Sequence, residues 1–294
     1  MVDVVSLQLG GCRFDEERSA VMGILNRNRD SFYSPARLLD DEAAFARVAQ
    51  MIDEGVDVLD VGGVRAGQEG EWVDADEEIR RVVPFVGAVR ERFPGLLISV
   101  DTWRSEVAQA CSGAVDLVND TWQGADPRLV EVAAGLGAGY VVSHTGGLPP
   151  RTDPRNVTYR PEPDGVVADV LRVLGEGAER AVAAGVDPSS VLLDPTLDFG
   201  KTTAHSLRLV RATAEVVALG YPVMQAISRK DFVGETLDVE IGDRLEGTLA
   251  ATAVAAWQGA VLFRAHDVLA TRRTVDMVAS IKGLRPPAKA VRGR

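Results

Sequence analysis

Short apolar runs recur along this chain, and each stops at a polar or charged residue. The runs at 21–25, 56–59, 96–100, 116–118, 140–142, 191–193, 223–227 and 260–263 have the length of buried strands. They end at Asn26, Asp60, Asp101-Thr102, Asn119-Asp120, Ser143-His144, Asp194, Ser228-Arg229-Lys230 and Arg264-Ala265-His266. Between them the spacing predicts helices over 41–54, where Ala44, Val48, Met51 and Ile52 make one stripe, and over 76–93, 105–111, 127–136, 165–184, 204–219, 243–257 and 266–282. Strand and helix alternate eight times, and the strands are apolar on both faces. That pattern calls for a parallel sheet closed on itself and covered by helices, a (β/α)₈ TIM barrel in the α/β class. Two further apolar runs within residues 4–14, around Gly10-Gly11, predict an N-terminal β-hairpin that covers the bottom of the barrel.

In such a barrel the active site lies at the carboxyl ends of the strands. One polar strand end means little, but eight together predict a polar pocket. Three stretches break the rhythm. Residues 27–39 and 64–74 are long loops after the first and second strands, a kind that often acts as a lid, and 146–164 is rich in Pro and Arg without periodicity. Residues 284–294 hold four cations and no acid, so the barrel domain is expected over 1–283 and a basic disordered tail beyond it.

Composition narrows the classes. A chain of 294 residues suits one barrel of ~250 residues, and 46% hydrophobic with 26% charged residues describes a globular enzyme. No run approaches the roughly 20 apolar residues of a membrane helix, and the start lacks a signal peptide's cationic lead. The expectation is no membrane contact and a cytoplasmic location. A net charge of -11, from 43 acidic and 32 basic side chains, argues against nucleic acid as a partner. Two cysteines, Cys12 and Cys111, and three histidines leave no disulfide framework and no zinc site.

The strand ends also suggest a chemistry. Asp60, Asp101 and Asp194 with Asn119 suit a planar heterocycle bearing N–H groups and ring nitrogens, since each carboxylate can take an N–C–N–H edge in bidentate fashion. Asp101 and Asp194 could instead cap the helices that follow. Arg264 and His266, after the last strand, close onto Asn26 after the first, an arrangement suited to a phosphate or diphosphate with optional Mg²⁺ at Asn26. Ser228 has no histidine near it in sequence and G-x-S-x-G is absent, so positioning and leaving-group stabilisation fit better than nucleophilic catalysis.

Seven motifs carry a resemblance. M-G-I-L-N (22–26), D-V-G-G (60–63), S-V-D-T (99–102), V-N-D (118–120), D-P-x-x-x-F-G-K-T (194–202), S-R-K (228–230) and R-x-H-D-V (264–268) stand in the order and spacing of dihydropteroate synthase, over nearly the whole chain to about residue 283. The resemblance implies an enzyme of folate biosynthesis that joins 6-hydroxymethyl-dihydropterin diphosphate to p-aminobenzoate with loss of diphosphate. Sulfonamides and sulfones compete for its second site. It assigns Asp60, Asp101, Asn119, Asp194 and Lys230 to the pterin pocket, and Asn26, Arg264 and His266 to the diphosphate and Mg²⁺. Lys230, Arg264 and His266 are the implied catalytic group. It also implies a homodimer through the late helices, such as 243–257 and 266–282.

The chain departs from the family in its loops. After the first strand N-V-T-P-D-S-F-S-D-G-G becomes N-R-N-R-D-S-F-Y-S-P-A, which brings in Arg27 and Arg29. After D-V-G-G the family's E-S-T-R-P-G becomes V-R-A-G-Q-E-G, so Ala66 and Gly67 stand where Thr and Arg touch the diphosphate, with Arg65 a residue or two out of register. The stretch 194–201 carries a new carboxylate, Asp198, before Phe199, where p-aminobenzoate brings its own negative charge; Ser228 flanks the same second-substrate side. M-H-M-R-G becomes S-H-T-G-G at 143–147, which removes an apolar pterin contact. The chain therefore resembles the divergent second copy of the synthase in actinobacteria, and is expected to keep the pterin pocket with little or no synthase activity. Two rivals are an active synthase rebuilt on Arg27, Arg29 and Arg65, and a non-catalytic pterin-binding or regulatory protein. A methyltetrahydrofolate-binding methyltransferase barrel shares the acidic pocket, but S-R-K and R-x-H-D argue against it.

Overall fold

Two short strands, β1 (Leu7–Leu9) and β2 (Cys12–Phe14), pair antiparallel in a computed structural model that describes residues 5–27, 41–65, 72–152, 157–160 and 165–292. Their two-residue turn puts Gly10 and Gly11 at φ 52° and 81°, a tight hairpin geometry that favours glycine at both positions. Leu7, Leu9 and Phe14 are buried against Met22, Val58, Leu97, Leu117, Val141, Leu192, Met224 and Leu262. The hairpin covers the lower end of the barrel as expected.

The barrel strands are β3 (Ala20–Asn26), β4 (Val58–Gly62), β5 (Leu97–Asp101), β6 (Leu117–Asn119), β7 (Gly139–Ser143), β8 (Val191–Asp194), β9 (Met224–Gln225) and β10 (Leu262–Ala265). They are parallel and ordered β8-β7-β6-β5-β4-β3-β10-β9. An isolated bridge between Leu193 and Val223, with the Leu193 N–H donating to the Pro222 carbonyl at 2.8 Å, joins the two ends. Around them run α1 (Asp41–Asp53), α2 (Ala75–Arg92), α3 (Ser105–Ala110), α4 (Leu129–Leu136), α5 (Gly165–Ala183), α6 (Thr203–Arg211), α7 (Thr213–Val217), α8 (Asp231–Leu237), α9 (Leu245–Trp257) and α10 (Val268–Ile281).

Period two along each strand sorts the side chains. Leu59 and Val61, Ile98 and Val100, Val118, Leu193 and Phe263 face the helices in one core, while Met22, Val58, Leu97, Leu117, Leu192 and Leu262 fill the lower barrel in another. Two residues further on, the inward positions become polar. Val58 leads to Asp60, Leu97 to Ser99 and Asp101, Leu117 to Asn119, Leu192 to Asp194, and Leu262 to Arg264. The strands are therefore apolar on both faces only in their lower halves. The upper halves carry the site.

Three helical expectations change. The span 204–219 is broken at Ala212 into α6 and α7. Ile52 is 38% exposed, so the buried stripe of α1 is Ala44, Val48 and Met51. α8 was not expected: it has only seven residues, too few for a periodic signal, yet it buries Phe232 and Val233. No helix of the described residues is long and apolar enough to cross a membrane.

Phe14 is 1% exposed and joins the hairpin to the barrel floor. Phe14→Ala should lower unfolding free energy by about 3–5 kcal/mol, as for other buried aromatics cut to alanine, and urea unfolding would measure it.

Candidate functional site

Asp60 and Asp101 sit on adjacent strands, and a single cation holds both. Arg264 Nε donates to Asp60 Oδ2 at 2.6 Å and its Nη2 to Asp101 Oδ2 at 2.7 Å. Asn119 Nδ2 approaches both oxygens of Asp60 at 3.3 and 3.4 Å, and Thr121 Oγ1 donates to Asp101 Oδ1 at 3.3 Å. Burial pushes the Asp101 carboxyl up to about 7; Arg264 opposes the shift and the nearby charge of Asp60 adds to it. The Asn119 Oδ1 and Ser99 Oγ atoms are buried without a hydrogen-bond partner among the described residues. Such groups are costly unless a ligand or water meets them.

Asp194 and Lys230 form the neighbouring half. The Asp194 Oδ1 accepts the Thr196 N–H at 2.8 Å, and burial raises its carboxyl against the pull of Lys230. Lys230 Nζ donates to the Leu197 carbonyl at 2.5 Å and lies 5.3 Å from the Phe199 ring centre. Burial lowers its ammonium value, while Asp194 and Asp198 hold it up. The ring of Phe199 meets Trp122 edge-on at 5.5 Å.

The anion-facing side joins β10 to β3 and β9. Ser228 Oγ accepts the His266 backbone N–H at 3.1 Å and lies 3.0 Å from His266 Nδ1. The contact carries one proton, donated by the hydroxyl or by Nδ1 according to the ring tautomer, and it fixes the orientation of the imidazole. Burial, then the charge of Arg264, lowers His266 to about 4. Ser228 had no histidine near it in sequence; the barrel brings one from 38 residues away. Gly62 lies between the two groups: a Cβ there would stand 3.4 Å from Asn26 Oδ1 and 3.7 Å from Asp101 Oδ2, ordinary contact distances.

Several strand-end residues serve the framework instead. His144 turns outward, its Nε2 3.0 Å from Asp169 Oδ2 on α5, because it stands one residue out of phase with the inward face. Asp120 accepts from the Tyr140 hydroxyl and the Trp122 and Gly124 N–H groups at 2.7–2.9 Å. Arg229 pairs with both oxygens of Asp267 at 2.9 and 3.1 Å and with two backbone carbonyls. Arg27 pairs with Asp41 at 2.6 Å and lies over the Phe85 ring at 4.6 Å. Asp198 accepts from Ser206 Oγ at 3.0 Å and the Phe232 N–H at 3.2 Å, which blunts the repulsion expected of it. Arg29, Ala66 and Gly67 lie outside the described residues, and Arg65, half-buried, is the last residue described before the second loop.

Sequence reasoning passed over Lys201 and Thr121. Lys201 Nζ donates to the carbonyls of His144, Phe199 and Thr196 at 2.7, 2.8 and 3.0 Å, pinning a loop in which Thr196 and Asp198 adopt φ 52° and 71°. Its place in F-G-K-T was a signal. Thr121 carried none, since its contact with Asp101 crosses from one strand end to the next.

Burial, assisted by Lys201, also lowers His144 to about 4. The unfolded chain takes up protons near the ordinary imidazole value of 6.5 and the folded chain only near 4, so acid favours unfolding between those values. His144 and His266 resonances should stay those of neutral imidazole down to about pH 5 in an NMR titration. His144→Gln should remove up to about 3 kcal/mol of the stability lost between pH 6.5 and 4.

The family model described as pterin binding enzyme matches residues 22–266. The inactive dihydropteroate synthase 2 of Mycobacterium leprae (strain TN) is 56% identical over 278 residues, covering 94% of this chain and 95% of that protein. The Yersinia pestis dihydropteroate synthase, solved with a sulfonamide drug complex, has a TM-score of 0.86 and 32% identity over 95% of this chain and 99% of that one. The Xanthomonas albilineans dihydropteroate synthase with 4-aminobenzoic acid has a TM-score of 0.82 and 33% identity over 95% and 98%. An acidic and amide-lined mouth beside an arginine and a neutral histidine, on this barrel and in this motif order, thus belongs to a member of the pterin-binding dihydropteroate synthase family.

Proposed function

We propose that this chain binds a pterin diphosphate in the barrel mouth and turns it over into dihydropteroate slowly or not at all. The observation that carries the binding half is the buried, unpartnered Asn119 Oδ1 set beside Asp60, with Asp101 on the strand between them and Asp194 two strands beyond Asn119. A buried acceptor beside carboxylates is a demand for N–H donors, and a 2-amino-pyrimidinone edge supplies them. Asp194 and Lys230 would fix the ring from the far side, and Phe199 would wall it.

In the family reaction the amine of p-aminobenzoate forms a C–N bond to the pterin methylene as the C–O bond to diphosphate breaks. The chain retains the groups that would receive the leaving charge. Ser228 holds the His266 ring in place, and in the tautomer with Nε2 protonated the ring would donate a hydrogen bond to a phosphate oxygen. Mg²⁺ fits here only in company with the diphosphate. Asn26 offers one amide oxygen, Asp101 lies alongside, and no group of three His, Cys, Asp or Glu among the described residues could hold a metal alone. When bound, the metal would spread charge developing on the leaving group.

The loss of turnover rests on the loops. Ala66 and Gly67 replace side chains that would touch the diphosphate, and Arg27, a candidate substitute, is committed to Asp41 and Phe85. Each lost transition-state contact removes roughly 10²–10³ in rate. The name of the M. leprae relative, inactive dihydropteroate synthase 2, supports the same reading. Binding of p-aminobenzoate or sulfonamides, as seen in the Xanthomonas and Yersinia neighbours, should be weak here because those loops border the second site.

We also propose a homodimer. Val254 and Trp257 on α9 and Met277 and Ile281 on α10 are 46–60% exposed, an apolar face that a second copy would cover.

Calorimetry with pterin diphosphate and Mg²⁺, followed by p-aminobenzoate and a product assay, should give binding with turnover at least about a hundredfold below an active synthase. Turnover at the rate of an active synthase would restore an ordinary enzyme, and absent pterin binding would reduce the retained Asp, Asn and Lys to framework. Met277→Glu should convert a dimer to a monomer in light scattering; a monomeric wild type would sink the dimer.

A further inference from the structure

Arg264 already does to the acidic layer what a ligand would do. Its Nε and Nη2 place two N–H donors on Asp60 Oδ2 and Asp101 Oδ2 at 2.6 and 2.7 Å. A guanidinium is an N–C–N edge with N–H donors at its rim, and the amino-pyrimidinone edge of a pterin is a neutral edge of the same geometry. The two compete for the same oxygens. Each acid has one further donor, Asn119 Nδ2 at 3.3 and 3.4 Å from the Asp60 oxygens and Thr121 Oγ1 at 3.3 Å from Asp101 Oδ1, so the guanidinium takes the shortest contact on each.

We infer that Arg264 is a specificity latch with two seats, one on Asp60 and Asp101 in the free protein and one beside His266 and Asn26 when a ligand brings both a donor edge and a phosphate. This rests on the pterin-binding reading above. A ring without phosphate must push a cation off two carboxylates and leaves it without an anion to meet. An anion without a ring draws the cation away and leaves two buried carboxylates facing each other. Only a ligand or ligand pair with both parts satisfies every charge at once. The elevated carboxyl value of Asp101, set by burial with Asp60 beside it, agrees with the cost of leaving these acids without Arg264. His266 stands two residues along the chain and is neutral, so the second seat holds no competing cation on its imidazole.

The latch makes the two halves of the pocket cooperative, and the coupling must be reciprocal. It therefore selects phosphorylated pterins over the bare ring by more than the phosphate contacts alone.

Titration calorimetry on the full chain tests this with two probes, 6-hydroxymethylpterin and inorganic pyrophosphate with Mg²⁺, each alone and each with the other saturating. Each should tighten the other by the same factor, at least about fivefold. In Arg264→Ala the factor should fall to about one while the ring alone binds no more weakly than to the wild type. Asp101→Asn removes one arm of the first seat without removing the cation. There pyrophosphate alone should bind more tightly than to the wild type, and the coupling should shrink. Independent binding of the two probes to the wild type overturns the latch and leaves the pterin reading standing. Coupling that survives unchanged in both variants also overturns it. Failure of the ring to bind with or without pyrophosphate sinks the pterin reading and the latch together.

Discussion

A buried carboxylate, Asp60, and a half-buried one, Asp101, meet at the mouth of the barrel and must be neutralised, and Arg264 is the group that does it. The requirement reaches across the fold. Asp60 and Asp101 belong to β4 and β5, and Arg264 to β10, so the ion pairs form only because β10 pairs with β3 and brings the end of the chain back to its beginning. Burial makes each carboxylate expensive alone, and the same low polarity makes the pairing strong. Closure of the ring and chemistry of the mouth are one constraint seen from two sides.

The polar groups at the strand ends divide by what they touch. Lys201, Asp120, His144 and Arg229 spend their hydrogen bonds on backbone carbonyls, on neighbouring N–H groups or on acids outside the barrel. They shape loops. Asn119 keeps an unpartnered oxygen at the mouth, and His266 has Ser228 to orient its ring.

The wall at residues 194–202 illustrates how charge is absorbed. Asp198 is a largely buried carboxylate whose oxygens are taken up by Ser206 and the N-terminal turn of α8. A helix start offers free N–H groups and a partial positive charge, which stabilise an acid beside it. The carboxylate therefore ties its loop to α6 and α8.

The barrel, its hairpin floor and most of the pocket were legible in the sequence because period-two burial and strand-end polarity are local signals, repeated eight times. Asp60, Asp101, Asn119 and Asp194 could be named because each stands at a fixed offset from an apolar run. What only the tertiary structure decided were the partnerships. Ser228 with His266, Arg264 with two acids on distant strands, Arg27 with Asp41 and Phe85, and Thr121 with Asp101 all depend on neighbours set by strand order and register rather than by spacing along the chain. The outward turn of His144 and Arg229 was equally hidden. A sequence states which residue follows a strand, but a one-residue change of phase decides whether it faces the pocket or the helices, and that phase is set by packing.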